Sequence, residues 1–324
     1  MSRGYTIDPQ ARELLARAAR SAIPAFHAVT PQQARSLYRE VRRPLQPPPP
    51  AVTRVVDTAF DGPGGAVPVR LYRPAGAQAG DALPVVVFYH GGGWTYGDLD
   101  THDVPCRTLA NYGHFAVASI DYRLGPEHRF PAAIDDAMAA VRWVALEGDA
   151  SGIDTRRIAV AGDSAGGNLA AAVALLARDA GLPLAMQALI YPALDMHAAM
   201  PSHFEFAGGY LLEREGILWS RGNYLRSPED ADDPRASPLL AASHRGVAPA
   251  YIITAGFDPL LDEGAAYARK LAAEEVSVTY ECFEGMVHGF ITMGGVLAAA
   301  NHALYRVGQA LRLAFARASA GRGA

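Results

Sequence analysis

Two cysteines, Cys106 and Cys282, are too few for a disulfide framework in a chain of 324 residues. Both read as small buried hydrophobes, Cys282 as core on a strand where it alternates with Tyr280. Lysine is nearly missing: Lys270 is the only one, so the basic charge is almost wholly arginine. Together with the abundant alanine, that reads as a bias of genomic composition. Basic residues form no cluster, and the formal net charge is -4. Arg42-Arg43 and Arg156-Arg157 are isolated pairs that read as solvated surface, which argues against a nucleic-acid partner. No apolar stretch approaches the ~20 residues a bilayer requires; the longest apolar helical run, Leu169 to Ala177, falls far short. The N-terminus lacks the charged-then-apolar pattern of a signal sequence, so a cytoplasmic protein with no membrane partner is expected. No set of His, Cys, Asp and Glu has metal-ligand spacing, and no metal is expected.

What is present is alternation. With half of its residues hydrophobic, the chain can bury a large core. Residues 1 to about 46 read as helical, with amphipathic segments at Ala11–Ala16 and Pro31–Val41, ending at the stiff run Pro47-Pro48-Pro49-Pro50. Val52–Phe60 and Val67–Tyr72, separated by a Gly- and Pro-rich turn, read as an edge hairpin. From Val85 onward, strand-like runs alternate with helices such as Ala132–Leu146 and Asp262–Glu274. That rhythm predicts an α/β fold with a mainly parallel central sheet covered by helices on both faces. Residues 197 to about 226 interrupt it with the aromatic and glycine-rich stretch Phe204-Glu205-Phe206-Ala207-Gly208-Gly209-Tyr210, then a helix through Trp219 to Tyr224.

Two glycine motifs follow strands. Gly162-Asp163-Ser164-Ala165-Gly166 lies between the apolar run Arg157–Ala161 and the Ala/Leu-rich helix Asn168–Arg178, the setting that turns a common G-x-S-x-G pattern into a candidate nucleophile. His90-Gly91-Gly92-Gly93-Trp94 follows Val85-Val86-Val87-Phe88-Tyr89. A strand ending in three glycines exposes backbone N–H groups, and acyl transfer to a serine needs such donors where charge develops on the carbonyl oxygen. The donors are assigned to Gly92, Gly93 and Ala165. A phosphate cradle is disfavoured, because neither G-x-x-x-x-G-K-[ST] nor a helix-opening G-x-G-x-x-G occurs here.

A serine hydroxyl needs a base, and the base needs an orienting group. Tyr251–Thr254 reads as a strand with Asp258 in the loop beyond it. Val276–Phe283 is the next strand, with His288 in the loop that follows. Sites in open α/β sheets form outside the carboxyl ends of strands, where Ser164, Asp258 and His288 would all lie. Asp262 and Glu263 compete with Asp258, but they read as solvated acids at a helix start. His302 competes with His288 but falls in a terminal helix. His90 reads as a brace for the glycine loop, and His102, His114 and His128 as structural.

These motifs, with Asp121-Tyr122-Arg123-Leu124-Gly125-Pro126-Glu127 and the following Phe130-Pro131-Ala132-Ala133, resemble the GDSAG branch of the bacterial hormone-sensitive-lipase-like carboxylesterases. The resemblance spans roughly residues 50 to 315 in motif order. Gly125 stands where that family usually carries Ala, which would loosen a loop. The chain order Ser, Asp, His is that of the α/β-hydrolase fold. The resemblance implies hydrolysis of short- to medium-chain carboxylic esters through an acyl-enzyme, no cofactor, a small-molecule ester as partner, and a homodimer. It also implies a helical cap: residues 1-48 and 197-226 as cap segments, 49-196 and 227-324 as the two parts of the core. In that cap, Phe204, Phe206, Tyr210 and Leu211, with Trp94 and Val287, would shape the substrate pocket, or else pack between cap helices. An amidase or aryl-formamide hydrolase using the same serine is the second reading. A catalytically silent binding protein is the third, whose mark would be a broken triad.

Overall fold

The computed structural model describes residues 3–320, so the outermost residues of the first and last expected segments lie outside it. Its centre is an eight-stranded sheet in the order β1-β2-β4-β3-β5-β6-β7-β8. The strands are β1 (Arg54–Gly62), β2 (Gly65–Arg73), β3 (Leu83–Tyr89), β4 (Ala116–Ile120), β5 (Ile153–Asp163), β6 (Gln187–Ile190), β7 (Ala250–Phe257) and β8 (Val278–Val287). The β1–β2 hairpin joins antiparallel to β4, while every pairing from β4 through β8 is parallel.

Strand β3 shows why the sequence ran apolar without alternation. Val85, Val87 and Tyr89 point into one core, and Val86 and Phe88 into the other; all five are fully buried. A strand covered on both faces has no solvent side to mark with polar residues. Helices α4 (Ala132–Glu147), α5 (Ala165–Asp179) and α8 (Leu261–Ala273) supply the first core, α3 (Asp103–Gly113) and α9 (Ala298–Ala320) the second.

Four further helices lie away from the two covering layers' central run. Helix α1 (Pro9–Arg20) is capped by Asp8, and α2 (Pro31–Arg42) by a Thr30/Gln33 capping box. Helices α6 (Pro201–Glu205) and α7 (Arg214–Tyr224) fall in the 197-226 stretch, and α7 packs against the Phe26–Ala28 turn between α1 and α2. No described helix is long and apolar enough to cross a membrane.

Several expectations change. Helix α7 begins at Arg214, a turn and more before Trp219. Strand β5 extends the Arg157–Ala161 run at both ends. Strand β8 runs on past Phe283 to Val287. Cys282 is half-buried rather than core, because β8 is the sheet's last strand, while Cys106 is fully buried. Gly125 does not loosen its loop. A Cβ there would meet the Asn223 carbonyl oxygen at 2.4 Å, so its lack of a side chain lets the end of α7 pack close.

Candidate active site

The four elements that carry the candidate residues end at the same edge of the sheet. Ser164 is the single residue between β5 and α5, Asp258 follows β7 directly, His288 follows β8 directly, and His90 follows β3. Parallel strands of matched register thus deliver distant sequence segments to one rim.

Ser164 has φ 56°, a conformation that costs a non-glycine residue about 1–3 kcal/mol and persists only where the surroundings impose it. They do so here. The Ser164 N–H donates to the Ile190 carbonyl at 2.9 Å, and its own carbonyl accepts from Asn168 and Ala193. Helix α5 comes so close behind the turn that a Cβ on Gly166 would lie 1.9 Å from the Tyr89 carbonyl oxygen. The Ser164 hydroxyl lies 2.8 Å from His288 Nε2, and His288 Nδ1 lies 2.7 Å from Asp258 Oδ2. Asp258 is fully buried, and its other oxygen accepts from the Leu260 N–H at 2.8 Å. The chain is therefore hydroxyl, imidazole, carboxylate, in one line of hydrogen bonds.

Gly92 and Gly93 line the same cavity at φ 126° and 57°. No described residue accepts from either N–H, and the Ala165 N–H, at the first position of α5, has no acceptor within the helix. Gly92, Gly93 and Ala165 all line the space beside Ser164.

The glycine loop is tied to the nucleophile turn by Asp163, the motif residue to which sequence reasoning gave no task. Its carboxylate accepts from the Gly91 N–H at 2.8 Å and from the Tyr191 hydroxyl at 3.3 Å, and sits 3.1 Å from His102 Nε2. Burial works against its ionisation, but His102 and the Gly91 N–H more than offset that and hold its carboxyl below the usual range. His102 is structural as expected, and its partner is now named. His90 directs Nδ1 at the Gly91 carbonyl, 2.9 Å away, and stacks on Tyr122.

The cavity beside Ser164 holds about 60 Å³. Trp94 lines it, stacked on Tyr224 at 4.5 Å, and so do Leu212, Ile217, Ser220 and Arg221 from the α7 region with Tyr38 and Arg42 from α2. The other residues proposed for the pocket lie elsewhere. Phe204 is 60% exposed on α6, beneath the Arg214 guanidinium. Phe206 and Tyr210 pack on each other and on Phe257. Leu211 packs against the second core, and Val287 is wholly inside the last strand's end. Aromatic content marked the segment correctly but selected its packing residues rather than its lining.

Two charged residues were also misread. Glu263 is not a solvated helix-start acid: it is fully buried and accepts from the Leu194 and Asp195 N–H groups and from Arg221 Nη2 at 3.3 Å, with His203 Nε2 at 2.8 Å. Arg42 is not plain surface, since its Nε is buried against the cavity. Nothing in the local pattern separated these from ordinary exposed charges, because their burial is made by helices from other parts of the chain. Asp262 does meet solvent in part, and pairs with Arg3 at 2.8 Å. Among the described residues no group of three His, Cys, Asp or Glu is placed to hold a metal ion.

A fold of this topology, with a serine on a strand–turn–helix and acid and base at the following strand ends, defines an α/β hydrolase. A family model described as alpha/beta hydrolase fold matches residues 86–292. The chain belongs to that family, in its hormone-sensitive-lipase-like branch. It is 47% identical over 266 residues to the carboxylic ester hydrolase LipN of Mycobacterium tuberculosis, covering 79% of this chain and 70% of that one. It is 38% identical over 306 residues to the ethyl acetate hydrolase of Pseudomonas putida, covering 92% and 95%. Among solved structures, the ester-hydrolase EH1AB1 from the metagenome of Lake Arreo superposes with a TM-score of 0.92 at 39% identity, covering 96% of this chain and 100% of that one.

Proposed function

We propose that the protein is a serine carboxylesterase in which Ser164 is the nucleophile, His288 the general base and acid, and Asp258 the orienting acid. The observation that carries this reading is the pair of hydrogen bonds at 2.8 and 2.7 Å that runs from Ser164 through His288 to Asp258. Ser164 Oγ attacks the ester carbonyl carbon as His288 Nε2 takes its proton. The N–H groups of Gly92, Gly93 and Ala165 hold the oxyanion, an arrangement in which one donor typically contributes about 10²–10³ in turnover. Collapse breaks the bond to the alcohol oxygen, which leaves with the proton from His288. Water then attacks the acyl-enzyme with His288 again as base, and release of the acid restores Ser164. Asp258 stays ionised, fixing the ring and stabilising the imidazolium.

The small cavity supports short acyl chains over long ones, and the α2 and α7 segments that line it act as a cap. Location in the cytoplasm and action on a small-molecule ester complete the proposal. The test is hydrolysis of p-nitrophenyl acetate, butyrate, octanoate and palmitate by the wild type and Ser164→Ala. Short chains should be preferred, and Ser164→Ala should lose about 10⁶ in kcat. Wild-type protein inert to every ester would overturn the reading, and retained turnover in the variant would remove Ser164 from it.

A further inference from the structure

The glycine loop beside Ser164 is held in an uncommon shape. Gly92, Gly93 and Trp94 follow one another at φ 126°, 57° and 53°, and of the three only Trp94 carries a side chain that makes such a backbone costly. The Gly92 carbonyl accepts from the Thr95 and Tyr96 N–H groups at 3.0 and 2.9 Å. That carbonyl shares a planar, trans peptide with the Gly93 N–H, so fixing one aims the other in the opposite direction. Trp94 sits inside the turn that these two bonds close. Were its backbone to relax to a common conformation, the bonds would open and the Gly93 N–H would swing with its peptide.

What holds Trp94 comes from the cap. Its carbonyl accepts from the Gly125 N–H at 2.8 Å, and its ring lies flat on that of Tyr224 in α7, with centroids 4.5 Å and planes 7° apart. Both rings are buried. Helix α7 meets the loop and its support at further points. Ser220, one turn before Tyr224, fills the place of the side chain that Gly93 lacks: a Cβ there would lie 2.4 Å from Ser220 Oγ. The Asn223 carbonyl likewise fills the space beside Gly125. The Tyr224 carbonyl accepts from the Phe130 N–H at 2.7 Å, and the Phe130 ring meets the Tyr224 ring edge-on at 5.7 Å. The Tyr224 hydroxyl, in contrast, is buried with no hydrogen-bond partner among the described residues. The position therefore uses the ring and not its polar tip. Tyr224 is also absent from the cavity lining, so it stands behind Trp94 without meeting what the cavity holds.

We infer that Tyr224 is a positioning residue for the oxyanion hole: its stack on Trp94 keeps the left-handed turn that aims the Gly93 N–H. Helix α7 thus contributes to rate as well as enclosing the substrate. This rests on the esterase reading of the site and adds a residue that acts through the loop.

The test measures hydrolysis of p-nitrophenyl butyrate and inhibition by 1,1,1-trifluorohexan-2-one. That ketone takes Ser164 Oγ onto its carbonyl carbon, passes the serine proton to His288 and leaves an oxyanion in the hole. Losing one donor outright typically costs about 10²–10³ in turnover, and a displaced N–H loses part of that. Tyr224→Leu should lower kcat by about tenfold to a hundredfold, leave KM within about threefold of wild type and weaken the ketone by a factor similar to that in kcat. Equal losses in kcat and kcat/KM mark an interaction made only in the transition state. Tyr224→Phe keeps the ring and should bring kcat and ketone affinity back to within about threefold of wild type. Should Tyr224→Leu not fold, Tyr224→Met fills the space without a ring and carries the same expectation. A folded Tyr224→Leu or Tyr224→Met protein of lowered Tm, with kcat and ketone affinity unmoved, overturns the inference and leaves the esterase reading standing. So does a change confined to KM, which would make Tyr224 a wall of the pocket. A wild type inert to ester and ketone alike overturns both.

Discussion

The cavity beside Ser164 has a floor and a cap, and the two are built by different means. The floor is built at the ends of parallel strands: Gly92 and Gly93 follow β3, Ser164 follows β5 and His288 follows β8, with Asp258 after β7 bonded behind His288. Sheet hydrogen bonding sets their spacing, so local motifs suffice to specify them. The cap's contributions, Tyr38 and Arg42 on α2 and Leu212 to Arg221 around α7, come from segments far apart in the chain that share no sheet. They are joined to the core by packing of Ile217, Tyr224 and Tyr38 and by polar contacts across segments. Glu263 of α8 reaches both Arg221 of α7 and His203 of α6, and Arg35 of α2 bonds the carbonyls of Thr95 and Gly125 at 2.8 and 2.9 Å. Backbone pairing thus fixes the chemistry, while side-chain pairing fixes what the chemistry is presented with.

Tyr224 apart, damage to the floor should appear in rate and damage to the cap in stability. After the loss expected at Ser164 itself, the largest effect is at Asp258. Asp258→Asn keeps the shape but removes the charge that holds the His288 tautomer, and kcat on p-nitrophenyl butyrate should fall by about 10⁴. A loss under tenfold would assign the orienting role elsewhere. Next is Glu263→Gln, which leaves the Arg221 guanidinium buried without its counter-ion. Breaking a buried pair from one side costs about 3–5 kcal/mol, which urea unfolding would register as a lower midpoint. An unmoved midpoint would mean that the cap does not lean on this cluster.

The smallest effect concerns pH. Burial and the neighbouring His102 bring the His90 imidazole down to about 4, while burial and Asp98 push the Asp121 carboxyl up to about 6; Nε2 and Oδ1 of the two lie 3.9 Å apart. The signs oppose. Between pH 6.5 and 4 the unfolded chain binds the His90 proton more readily, so acidification costs stability there. Over pH 3.8 to 6 the folded chain binds the Asp121 proton more readily, so acidification restores it. Asp121→Asn removes the second contribution, and its Tm should fall more steeply than that of the wild type as pH drops from 6.5 to 4. Parallel curves would show that the two groups do not offset each other.

How much of this could be read beforehand follows from how far each feature reaches along the chain. The G-x-S-x-G turn, the three glycines after β3 and the strand–loop positions of Asp258 and His288 are all visible within about ten residues of sequence, and the structure brings Gly92, Gly93, Ser164 and His288 to one cavity with Asp258 bonded behind His288. Asp163 was in view but mute, since the partner that explains it, His102, lies on the approach to α3. Phe204 and Phe206 show the limit of composition. An aromatic side chain is equally at home in a pocket or in packing, and the direction in which a helix turns decides between them.

The doubly covered parallel sheet and the turn that carries Ser164 are written in local patterns, because side-chain period, glycine placement and strand–helix alternation are local properties. That Arg221 and Glu263 are buried, and that Arg42 is partly covered beside the cavity, follows from contacts between distant segments. Whether a charge is solvated depends on what packs over it, and here that cover comes from helices on opposite sides of the chain's length.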